Sequence, residues 1–137
     1  MPQTNILVVP GGLGTRPLLN NPDMISWLIK MSNSLDLLLS ICTGSLLLAK
    51  AGLLKGRKAI THHGALNLLE ELEPDLKILE GVRYVEDGFI VSAAGISAGI
   101  DMSLYVVSRL LGKEVAQRTA NYMEYDWDAD YTAMPDP

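Results

Sequence analysis

The chain has 137 residues, 48% of them apolar and 20% charged, which suits one domain with a buried core. Its net charge of −5 lacks the basic surplus a nucleic-acid surface needs, so no nucleic-acid partner is expected. A single cysteine cannot close an internal disulfide, which points to a reducing cytoplasm, and no apolar run has membrane-span or signal-peptide character.

Ile6 to Val9 is a β-branched run that stops at Pro10-Gly11-Gly12, a buried strand entering a glycine turn. Asn21-Pro22-Asp23 carries a helix start, with Asn as N-cap, Pro at the first helical position and an acid in the first turn. Ile25, Leu28 and Ile29 then share one face. Leu37 to Ile41 reads as a strand covered on both sides. Ser45 to Leu54 predicts a deeply buried helix that Gly56 is placed to cap. Lys58 to Thr61 reads as a third strand, and Leu66, Leu69 and Leu72 mark a helix stopped by Pro74. Asp87-Gly88, between Arg83 to Glu86 and Phe89 to Ser92, predicts a tight hairpin. Helices are expected from Ala98 to Leu111, with Gly112 as stop, and from Lys113 to Tyr122, where Glu114 and Arg118 are spaced for an i,i+4 pair. The acidic, Pro-containing residues from about 126 to 137 read as an irregular tail of this single domain, 1–137.

Strands alternating with helices imply a mostly parallel sheet with helices on both faces. Ligands bind such sheets at the carboxyl ends of the strands, where Gly11-Gly12 and Cys42 both fall. Cys42 ends one apolar run, and Thr43-Gly44-Ser45 opens the next. That places it at a strand-to-helix elbow, where backbone N–H groups and the helix dipole favour a thiolate and can hold an oxyanion. The other reading is a buried thiol serving as a small hydrophobe. Pro10-Gly11-Gly12 is either a loop whose N–H groups approach a ligand or an ordinary turn; it matches no dinucleotide or phosphate-loop fingerprint.

His62 and His63 are adjacent, so on a strand only one could face a given site, as a base or hydrogen-bond partner. No ligand spacing supports a metal site there, and none is expected. Asp101 enters an apolar helix, where an acid suits the dipole and could bond backbone groups, a structural role. Glu124, Asp126, Asp128 and Asp130 read as a solvated acidic face.

Taken together, "ILVVPGG", "SICTGSLLLAKAGLLKGRKAITHHG" and "VEDGFIVSAAGISAGIDMSLYVV" resemble the DJ-1/PfpI superfamily over about residues 5 to 125. Within it the chain looks most like the isonitrile hydratases, with the cysteine domains that precede AraC-type DNA-binding modules a near second. The resemblance implies a flavodoxin-like three-layer α/β sandwich with a hairpin. It implies Cys42 as nucleophile, with Thr43 beside it where the protease-like branch carries histidine, so no peptidase is expected. Gly11, Gly12, Ile96 and His62 are the implied substrate-binding residues, with the Gly12 and Thr43 N–H groups as donors. It also implies a small-molecule substrate, no cofactor, no membrane and a homodimer.

The family normally carries a further strand, helix and strand ahead of the Pro-Gly-Gly strand, roughly 50–60 residues on the domain-size prior, including an acid that approaches the cysteine. On that basis the fold is expected to be N-terminally incomplete. The chain is then expected to associate through an uncovered edge at the Ile6–Val9 or the Leu37–Ile41 strand and to show weak or no activity on its own. Two other functions fit the resemblance: a ligand-sensing domain without catalysis, and a redox-responsive cysteine protein that forms a sulfinate.

Overall fold

A computed structural model describes residues 3–132. Its main sheet contains strands β1 (Ile6–Val9), β2 (Leu37–Ile41), β5 (Tyr84–Asp87) and β6 (Ile90–Ala93), ordered β1-β2-β6-β5. β1, β2 and β6 run parallel, and β5 pairs antiparallel to β6. Helices α1 (Thr15–Leu18), α2 (Pro22–Ser32), α3 (Gly44–Lys50) and α4 (Leu66–Leu72) follow the first strands, and α5 (Ser97–Leu111) and α6 (Lys113–Tyr122) follow the last. Two short strands, β3 (Lys58–Ala59) and β4 (Lys77–Ile78), form a separate parallel pair.

The residues explain the layering. Leu38 and Ile90 point to one face, against Leu28, Leu46, Leu48 and Leu69 from α2, α3 and α4. Leu37, Leu39 and Val91 point to the other, against Met102 and Val106 of α5. Because β2 is covered on both sides, its first four residues are all buried, the pattern expected of a central parallel strand. Each of these leucines contributes about 1.5–3 kcal/mol by leaving water. α6 packs on α5 through Ala116, Ala120 and Leu104, small residues facing a large one.

Several expectations are met in detail. Asn21 caps α2, its Oδ1 accepting from the N–H groups of Asp23 and Met24 at 3.0 and 3.1 Å. Leu28 is buried, whereas Ile29 turns outward. The α5 and α6 bounds agree within a residue, although Glu114 and Arg118 form no ion pair.

Other expectations are corrected. α3 stops at Lys50 and not at Leu54, and the chain turns through Gly52 and Gly56, both at positive φ. The Gly56 N–H donates to the Asp75 carbonyl, so it anchors the loop rather than capping α3. The third strand is only Lys58–Ala59 and pairs with β4 outside the main sheet. The expected tight hairpin is present between antiparallel β5 and β6, with its turn one residue later, on Gly88-Phe89, because Asp87 still pairs with Ile90. Gly88 has φ 62° and Phe89 does not share that sign, the pattern of a type II′ turn.

His62 and His63 lie on no strand: His62 caps a 3₁₀ turn over His63–Ala65. Asp101 bonds side chains and not the backbone, accepting from the Arg83 Nε and from the Tyr125 hydroxyl. The acidic residues 124, 126, 128 and 130 are exposed as expected, and Trp127 between them is buried against α5 and α6. Residues 126–132 carry no helix or strand, and the rest of the expected tail lies outside the described residues.

Candidate functional site

Three parallel strands, not two, deliver their carboxyl ends to one place. β1 runs into Pro10-Gly11-Gly12, β2 into Cys42, and β6 into Ala94-Gly95-Ile96. The Cys42 N–H donates to the carbonyls of Ala93 and Ala94 at 3.1 and 3.2 Å, tying the second end to the third.

Glycines allow the closeness. A Cβ on Gly11 would lie 2.7 Å from both the Ile41 carbonyl oxygen and the Thr43 nitrogen. A Cβ on Gly44 would lie 2.2 Å from the Val9 carbonyl oxygen. No side chain fits at either position without moving backbone.

Cys42 itself sits at φ 55°, a left-handed conformation that costs a non-glycine residue about 1–2 kcal/mol. The elbow is held by its carbonyl, which accepts from the Thr61 hydroxyl at 2.9 Å and the Ser45 hydroxyl at 3.3 Å. Thr61 is buried, so this support is out of water. Ile96 is the second strained position, at φ 41° and 80% exposed, at the entrance to α5.

Cys42, Thr43, Gly11, Gly12, Ile96 and His62 all line one cleft of about 540 Å³, with Leu13, Arg16, Ile41, Gly64 and Ala65. The six site residues that the resemblance implies are therefore brought together. The Gly12 N–H is already engaged: it donates to Thr43 Oγ1 at 2.9 Å. Thr43 and Thr15 hydroxyls lie 3.2 Å apart, and both reach the Gly12 carbonyl, at 3.2 and 2.8 Å. This cluster fixes the glycine turn over the elbow. His62 Nδ1 accepts from the Gly64 N–H at 3.0 Å, so a neutral ring carries its proton on Nε2. The ring lies against Gly95, where a Cβ would come within 2.5 Å of Cδ2. His63 stays out of this cleft and lines a neighbouring one of about 480 Å³, which shares His62 and Ile96. Among the described residues no cluster of His, Cys, Asp and Glu could hold a metal ion.

Sequence reasoning did not single out Thr15, Thr61, Gly95 or Arg16. Thr15 and Arg16 stand in α1, a single turn too short for periodicity to register. Thr61 was placed on a strand, with no sign that its hydroxyl would reach Cys42.

Chemically, the cleft offers one thiol, an apolar wall and the Thr43 N–H; the Gly12 N–H expected as a second donor is instead taken by Thr43 Oγ1. A thiol in such a place can add to a small electrophile.

Residues 2–109 match the family model described as DJ-1/PfpI family. The chain is 36% identical over 124 residues to isonitrile hydratase of Pseudomonas putida, across 90% of this chain and 53% of that protein. It is 35% identical over 95 residues to the HTH-type transcriptional regulator CdhR of Pseudomonas aeruginosa, across 69% of this chain and 28% of that protein. The crystal structure of a THiJ/PfpI family protein from Pseudomonas syringae superposes with a TM-score of 0.84 at 30% identity, covering 95% of this chain and 53% of that one. The chain thus spans about half the length of the hydratase and less of the regulator.

Proposed function

The chain belongs to the DJ-1/PfpI family, and on that premise we propose that it carries the nucleophile of an isonitrile hydratase-like lyase. The observation that supports this most is Cys42 held at φ 55° on the cleft wall, with Thr43 beside it. A strained non-glycine elbow persists only where the surroundings over-determine it, and here Thr61, Ser45 and the two glycine contacts do so.

The proposed reaction is R–N≡C + H₂O → R–NH–CHO. The Cys42 sulfur bonds to the terminal carbon, and that carbon takes a proton, giving a thioimidate. Water then adds to the same carbon, the nitrogen takes a proton, and the C–S bond breaks to release the formamide and the thiol. Thr43 orients the attack, and Gly11, Gly12, Ile96 and His62 bind the substrate. Hydration draws only on thiol and water, so the proposal calls for no cofactor. A free cysteine also suits a reducing compartment, and we place the protein in the cytoplasm as a homodimer.

A ligand-sensing role is the second reading, favoured by the similarity to the regulator. Proton NMR of the chain with cyclohexyl isonitrile separates the two. N-cyclohexylformamide that forms with Cys42 present, and not in Cys42→Ala, supports the hydratase. Saturable binding without formamide supports sensing.

A further inference from the structure

We propose that the Cys42 cleft receives an electrophile bearing a carboxylate, and that Arg16 is the residue that reads the charge. The inference rests on Cys42 as the reacting atom and adds the substrate class.

Arg83 is tied to Asp101, Arg109 to Glu86, and Arg57 to the Asp87 carbonyl and, at 4.0 Å, its carboxylate. Arg118 on α6 has no carboxylate within 4.0 Å among the described residues, but it does not line the Cys42 cleft. Arg16 has no carboxylate within 4.0 Å among the described residues, although the chain carries 16 acids against 11 bases. It lines the cleft that Cys42 lines.

Its backbone is well held. The preceding Thr15 is buried and bonded to the Gly12 carbonyl at 2.8 Å, and the Arg16 carbonyl accepts from the Leu19 N–H. No Asp or Glu stands among the residues lining this cleft. The neighbouring cleft differs: it is lined by Glu80 as well as Arg83, and Arg83 already has its acid.

An unmatched guanidinium in the same cleft as a nucleophile, in a wall that carries Leu13, Ile41, Ala65 and Ile96 together with Thr43 and His62, fits a small apolar body with an anionic end. Arginine is the side chain best shaped to take a carboxylate through two parallel hydrogen bonds. A cleft of about 540 Å³ lies in the size range of small-molecule sites. Arg16 is exposed, so water and salt moderate its effect.

Because Cys42 is the sole cysteine, every thiol event reports on this cleft. Iodoacetate and iodoacetamide test the charge directly. Both form an S–CH₂ bond and release iodide, and they differ in the carboxylate. The rate ratio of iodoacetate to iodoacetamide is measured for the folded chain and for N-acetylcysteinamide, a neutral thiol.

The proposal expects the ratio on the protein to exceed the standard by about five-fold at low salt, one favourable contact between unit charges in water. Arg16→Gln should bring it down to the standard, Arg16→Lys should keep part of it, and 1 M KCl should erase most of it. A ratio equal to the standard, a ratio unchanged in Arg16→Gln, or no alkylation by either reagent would overturn the proposal. None of these readings requires turnover. A raised, Arg16-dependent ratio with no formamide from either cyclohexyl isonitrile or the carboxylate-bearing isocyanoacetate therefore sinks the hydratase assignment alone. Formamide production with a flat ratio sinks the carboxylate alone.

Discussion

Cys42 at φ 55° and Ile96 at φ 41° carry side chains in backbone conformations that favour glycine, and both face the same cleft. For Ile96 the side chain offers little packing in return, because it is 80% exposed. Ile96→Gly should therefore raise the unfolding free energy by about 1 kcal/mol, read from the urea midpoint. A lower midpoint would show that the isoleucine is held by packing after all. The opposite holds at Gly44. A Cβ there meets the Val9 carbonyl oxygen at 2.2 Å, and backbone cannot swing aside as a flexible side chain can. Gly44→Ala should cost about 2 kcal/mol or more, and an unchanged midpoint would mean that the β1 and α3 ends are looser than described. At this scale the sequence was informative where chemistry and spacing coincide: one cysteine between an apolar run and a Thr-Gly-Ser start. It was silent on Thr61 and on the Thr43–Gly12 bond, because both join residues 19 or more positions apart.

Elements bounded by caps, breakers or an unbroken apolar run are legible in the sequence, down to the four residues of β1, and those of a single turn or a two-residue strand are not. α2 and α5 carry a cap or a breaker and an apolar stripe, and α6 starts at the Gly112 breaker and buries Ala116 and Ala120. β3 and β4 have two residues each, too few for alternation, and their pairing is decided by the loops around them. The early stop of α3 has a local cause, since Gly52 takes φ 76° immediately after the last turn. Between elements, β5 is locked to α5 by Glu86, which accepts from the Tyr105 hydroxyl and from Arg109. Burial first, then the bond to Glu86, pushes the Tyr105 hydroxyl from its ordinary 10.0 up to about 12. Tyr84, stacked on it at 5.0 Å between centroids, is also pushed up by burial. The folded chain therefore keeps the Tyr105 proton where the unfolded chain loses it. Its contribution to stability is whole below about pH 10 and is lost as pH rises through about 12. The urea midpoint should fall across that window, and less steeply in Tyr105→Phe. Parallel curves for the two proteins would remove Tyr105 from the explanation.

For the molecule as a whole, the feature with most consequence is the β1 edge. Among the described residues β1 pairs with β2 on one side only, and Ile6 and Val8 are 38% and 47% exposed on the sheet face that α5 covers elsewhere. An edge strand with free N–H and C=O groups beside apolar side chains invites another strand. With a second copy as the partner, sedimentation should give a concentration-dependent dimer, and Val8→Lys should shift it toward monomer. A monomer at all concentrations would contradict that. The layered α/β plan was legible because β2 and β6 are nearly all buried and the hairpin has its glycine. The cleft's charge was not, because it depends on which arginines find acids in three dimensions. The central claim is that the Cys42 sulfur adds to an isonitrile carbon, and intact-protein mass spectrometry tests it most directly. The chain is incubated with cyclohexyl isonitrile at neutral pH, freed of excess reagent by rapid gel filtration and weighed without acid, and the low-mass fraction is assayed for formamide at neutral pH. The account predicts a thioimidate adduct of one isonitrile mass, or formamide in solution, with both absent in Cys42→Ala. Neither signal from the folded wild-type chain, or the same signal from Cys42→Ala, would contradict it.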